Sequence, residues 1–185
     1  LRVIAIEEAG ENAERNGSLG TSLHLLALTY EGLGRLQEAI DVERRSLRIR
    51  EAAWGPDHWH VALSLGALGN MLRATDRAVE AEPLNERSVK IATGTWSKHP
   101  DLWWAQRSLA RTQVALGKWE PAERAMTEQR ALMTEMGKET WLAEVLAILG
   151  AAARGRDDLV AAEANYRQAT EIMARTLDAD DEDRV

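Results

Sequence analysis

Apolar residues recur along this chain at helical spacing, with polar residues between them. Leu19, Leu23, Leu26 and Tyr30 stand three and four residues apart, which makes one stripe of a helix near residues 18–32. Leu36, Ala39, Ile40, Leu47 and Ile49 supply a second stripe near 35–54, closed by Gly55-Pro56-Asp57. Val61, Leu65, Leu68 and Leu72 predict a third helix near 58–74. A fourth is expected near 77–93, with Pro83 kinking or delaying it. Two further helix pairs are predicted near 100–136 and 138–177, the last split at Gly155. Strand-like runs of Val, Ile, Thr and Tyr are missing, so the chain reads as all-α.

One alanine recurs with a constant neighbourhood. Ala39, Ala81, Ala122 and Ala162 follow one another at steps of 42, 41 and 40 residues. Each follows a turn signal: Gly34-Arg35-Leu36, Thr75-Asp76-Arg77, Gly117-Lys118-Trp119 and Gly155-Arg156-Asp157. Such self-similarity predicts stacked helical hairpins rather than one core around an enclosed active site. The repeats are expected at 18–57, 58–99, 100–137 and 138–177. Residues 1–17 read as the end of a preceding repeat helix plus its loop, and 178–185 as an acidic, fraying tail. The chain begins in mid-pattern with Leu1, as an excerpt of a longer protein would.

Ala27, Gly69, Ala110 and Gly150 each stand twelve residues before a repeating alanine. A small residue there lets the two helices of a hairpin approach closely, and a leucine would overpack the contact. Neither helix of a hairpin can cover itself. Stacking on the next hairpin removes that apolar surface from water, at about 1.5–3 kcal/mol per large side chain fully buried.

Composition narrows the function. With 45% hydrophobic and 29% charged residues the chain can fold. Its net charge of −7 disfavours attraction to nucleic acid or to an anionic membrane, and no partner of either kind is expected. Cysteine is absent, which removes disulfides and thiolate metal sites. No apolar run is long enough to span a membrane. A cytoplasmic location is expected.

No catalytic constellation emerges. Gly137-Lys138-Glu139-Thr140 lacks the upstream glycine and following hydroxyl of a phosphate loop. His-Glu-x-x-His and Gly-x-Ser-x-Gly are missing. Asp57-His58-Trp59-His60 could clip a metal if extended, but His99 repeats His58 near the repeat period, which favours a capping role. Trp54 and Trp96 are expected to pack under the inter-repeat loops. The expectation is no enzyme, no cofactor and no metal.

These residues resemble the tetratricopeptide repeat family. Leu26, Leu68, Leu109 and Leu149 precede the small residues Ala27, Gly69, Ala110 and Gly150 of the first helices, and the alanines mark the second helices. The aromatic expected four residues after the last alanine is Tyr166. Glu43, Asn85 and Met126 occupy the corresponding positions. The long period looks like the kinesin-light-chain type, whose loop appears as Gly55-Pro56-Asp57-His58 with Trp59 in place of proline. The loop recurs as Ser97-Lys98-His99-Pro100-Asp101 and in decayed form as Leu177-Asp178-Ala179-Asp180. The excess of arginine over lysine, with abundant alanine, resembles a GC-rich bacterial genome.

The resemblance implies a right-handed α-α superhelix of antiparallel helix hairpins that binds a peptide or partner protein in a concave groove. Its groove positions lie three before, one after and four after the small residue. On this chain they give His24, Leu28 and Glu31, then Gly66, Asn70 and Arg73, then Arg107, Arg111 and Val114, then Ala147, Ala151 and Arg154. Only Asn70 remains of the asparagines that line cargo-binding kinesin light chains. Arginine replaces them, which suits carboxylates, so an acidic partner segment is expected, with Trp104 and Leu28 for apolar contact. A solvated helix face is the competing reading of the same arginines. The alternative at the level of the whole protein is a regulatory segment of a larger kinase, ATPase or protease. Self-association through uncovered end faces is also expected.

Overall fold

The computed structural model describes residues 17–96 and 101–182, with side chains described for 17–94 and 102–176. Expectations for residues 1–16, for the His99-Pro100 loop and for 183–185 lie outside the described residues. Helices α1 (Gly17–Gly32), α2 (Leu36–Trp54), α3 (Trp59–Ala74), α4 (Ala78–Trp96), α5 (Asp101–Ala115), α6 (Trp119–Glu135), α7 (Glu139–Gly155) and α8 (Leu159–Glu182) follow in order, with no strand among the described residues. The chain is all-α and a helical solenoid of repeats. α8 runs on through the acidic stretch expected to fray. α4 starts at Ala78, ahead of Pro83. The carbonyl that Pro83 cannot serve belongs to the exposed Val79, where water can satisfy it.

Two compact units divide the chain, residues 1–112 and 113–185. In the first, α1 packs on α2, α3 on α4, and α3 also meets α2 and α1. Its core gathers Ala27, Ala39, Ile40, Leu68, Leu72 and Ala81. In the second unit α7 lies against both α6 and α8, and Ala143, Leu146, Ala169 and Ile172 form a core between α7 and α8. All four repeating alanines are buried.

The hairpin turns share one geometry. Gly34, Asp76, Gly117 and Asp157 all have a positive φ, between 59° and 73°, and each stands the same number of residues before its alanine. The residue that follows donates its N–H back to the helix: Arg35 to Tyr30, Arg77 to Leu72, Lys118 to Gln113 and Asp158 to Ala153. This closes the helix by satisfying a carbonyl that would otherwise be orphaned. Glycine takes the left-handed conformation without steric cost, and aspartate is among the few residues that tolerate it.

The small residues do what their spacing requires. A Cβ on Gly69 would overlap the Asn85 side chain, and one on Gly150 would press on the Tyr166 ring at 3.0 Å. The partner's identity sets the chemistry of each contact. Tyr166 makes an apolar one. Glu43 and Asn85 bury polar groups that must find partners.

Candidate functional site

The sequence-derived groove residues of the first unit lie on α1, α3 and α5. Neighbouring helices are held in register by two contacts. The Trp104 indole covers Gly66, where a Cβ would collide with it. Asn70 Nδ2 donates to Ser108 Oγ at 3.1 Å, and Ser108 Oγ donates on to Trp104 O at 3.0 Å. Asn85 adds a tie from α4, donating to Thr112 Oγ1 at 2.9 Å. Trp104 and Asn70, expected to face a ligand, are thus engaged in joining α3 to α5.

Three guanidinium groups share the electrostatic surroundings of this register. Arg73 is half-buried on α3, and its Nε is buried with no hydrogen-bond partner. Burial holds its pKa below the ordinary guanidinium value. Arg111 and Arg107 push it the same way, against the opposing carboxylate of Glu31. Arg107 lies 6.0 Å from the centroid of the buried Trp103 ring. Arg111 is exposed. Such a cluster of like charges suits an anion by charge-assisted hydrogen bonds.

The α1 end of the face differs. His24 Nδ1 sits 3.0 Å from both carboxylate oxygens of Glu43, whose side chain is 0% exposed. Its Nδ1–H therefore donates to the carboxylate, with the tautomer assigned from this contact. Glu31 is half-buried, and its pKa is raised by burial and by Glu43, while Arg73 and His24 act the other way. Leu28 remains 39% exposed. Arg154 lies exposed on α7 in the second unit.

The Asp57–His60 segment takes the capping role. His58 is the N-cap of α3, and its Nδ1 accepts the His60 N–H at 3.3 Å. The His60 ring is stacked against Trp54 and Trp59, with centroids 4.1 and 3.5 Å away. Burial, then Arg50, His58 and His24, lowers the His60 pKa to about 4. No group of three or more metal-ligating side chains occurs among the described residues.

Sequence reasoning did not foresee the roles of Ser108, Thr112, Glu43 and Asn85. The signal lay in the position four residues after each repeating alanine. A polar residue there must be buried against the small residue of the first helix, and a buried polar group demands a partner.

Known proteins place this architecture. Residues 19–60 match the tetratricopeptide repeat family. Over 110 residues the chain is 33% identical to a kinesin light chain-related protein of Arabidopsis thaliana, a stretch that is 57% of this chain and 18% of that relative. A kinesin light chain of Podosopora anserina with nearly identical TPR-like repeats superposes with a TM-score of 0.75 at 25% identity, over 95% of this chain and 84% of that one. BtubC from P. vanneervenii gives a TM-score of 0.80 at 16% identity, over 95% and 70%. Residues 19–60 carry a tetratricopeptide repeat, and the chain folds as a helical solenoid like those of these repeat proteins. No described helix is long and apolar enough to cross a membrane.

Proposed function

We propose that this chain is a docking scaffold that holds an extended, acidic segment of a partner protein against α1, α3 and α5. The observation that carries the reading is the half-buried Arg73 on α3, on which Arg111 and Arg107 of α5 act as like charges while Glu31 opposes them. In a chain of net charge −7, a local excess of cations is a selective feature of the surface. Arginine forks pair with carboxylates in bidentate geometry, and the half-buried setting keeps salt from screening them fully. Exposed Leu28 and the accessible edge of Trp104 offer apolar contact beside the charges. No step of chemistry is needed from these residues.

Fluorescence anisotropy with labelled peptides tests the reading. A glutamate-rich peptide should bind saturably and weaken steeply as salt is added, whereas a lysine-rich peptide of equal length should not bind. Equal behaviour of the two peptides would refute it.

A further inference from the structure

We propose that Glu31 gates the docking face: its charge holds an acidic segment off Arg73, and loss of that charge admits the segment. The inference rests on the reading of α1, α3 and α5 as a docking surface and adds the residue that regulates it.

The repeat sets the two side chains side by side. Glu31 stands four residues after Ala27 on α1, and Arg73 four residues after Gly69 on α3. They therefore hold equivalent positions on the same face of neighbouring first helices. Each acts electrostatically on the other. Arg73 Nε is buried, which leaves the terminal nitrogens of this half-buried side chain for an incoming carboxylate. Such a carboxylate arrives beside Glu31, whose like charge opposes it.

The surroundings let Glu31 change its charge. Its half-buried carboxyl group makes no hydrogen bond or ion pair among the described residues. His24, which shares its helix face, is turned to the Glu43 carboxylate at 3.0 Å. Burial, then the wholly buried Glu43 of α2, raises the Glu31 pKa above the ordinary carboxylate value. Arg73 of α3 and His24 of α1 act against them. A carboxyl group raised in this way takes up its proton before exposed carboxylates do as pH falls, and an anion docked beside it raises it further. By linkage, acidic-segment affinity rises as pH falls into the Glu31 range.

Fluorescence anisotropy tests the gate with two labelled peptides. One is glutamate-rich, and the other carries cysteic acid, whose sulfonate stays ionised throughout. At about pH 7.5, Glu31→Gln should bind the glutamate-rich peptide about fivefold more tightly than the wild type. Glu86→Gln, an equal change of charge on the exposed face of α4, should alter affinity by less than about twofold. For the sulfonate peptide, the gap between wild type and Glu31→Gln should narrow from about pH 7.5 to about pH 5. That range lies above the His60 transition near pH 4. Glu31→Ala serves as a second variant, and helical circular dichroism checks the fold of each. Saturable binding that neither Glu31 variant tightens would overturn the gate and leave the docking reading standing. An equal gain from Glu86→Gln would overturn it too, by assigning the effect to net charge. Parallel pH profiles would overturn the dependence on Glu31 protonation. Loss of saturable binding in wild type and variants alike would overturn the docking reading together with the gate.

Discussion

Asn70 and Ser108, 38 residues apart in sequence, share a 3.1 Å hydrogen bond that ties α3 to α5. The arginines beyond them owe their grouping to this bond and to the indole laid over Gly66. Asn70→Ala removes the donor, while Ser108 keeps its bond to Trp104 O. The expected loss is about 0.5–1.5 kcal/mol in stability, measured by urea unfolding. Affinity for an acidic peptide should fall with it, although no arginine has been altered.

Gly69 and Asn85 should behave as a coupled pair. In an open helix, Gly→Ala would gain about 1 kcal/mol. Here the new methyl displaces the buried Asn85 side chain and with it the bond to Thr112. Gly69→Ala should therefore destabilise by about 1–3 kcal/mol. In Asn85→Ala the same Gly69→Ala change should be neutral or stabilising. A double-mutant cycle by chemical denaturation checks this, and additive effects would contradict it.

The fold was largely legible in the sequence, for a physical reason. Ala39, Ala81, Ala122 and Ala162 are dictated by close helix approach within a hairpin, which is a local constraint and recurs at the repeat period. Val61, Leu65, Leu68 and Leu72 are all buried, as their spacing required. Contacts between neighbouring first helices were not legible. Nothing in the spacing of Trp104 says that a glycine 38 residues earlier will receive its ring. Asn70 likewise read as a groove-lining amide facing a partner, not as a tie to Ser108. The face on which a residue lies follows from helical period, but its partner follows from how repeats dock.

His24 and Glu43 form a polar contact in which the carboxylate is wholly buried. His24→Ala leaves a fully buried carboxylate without this partner, at a cost of about 3–5 kcal/mol. Removing the carboxylate as well, in His24→Ala/Glu43→Leu, should restore much of that stability. Thermal unfolding of the single and double variants decides the point.

His60 makes stability depend on pH in a defined window. Its folded pKa of about 4 lies below the ordinary 6.5, so between these values the unfolded chain binds a proton that the folded ring does not. Its contribution is present above pH 6.5 and is lost as pH falls through about 4. The slope from this group is at most about 1.4 kcal/mol per pH unit. His60→Phe keeps a ring between Trp54 and Trp59 and should flatten the profile over that range. Parallel profiles for the two proteins would contradict the assignment.

The claim that a cationic face selects the partner segment is tested most directly by reversing its charge. Arg107→Glu/Arg111→Glu is to be compared with the wild type for binding a glutamate-rich and a lysine-rich peptide by anisotropy, with helical circular dichroism retained. The predicted result is an exchange of preference, the variant losing the acidic peptide and gaining the basic one. Undiminished binding of the acidic peptide, with an unchanged salt dependence, would contradict the account.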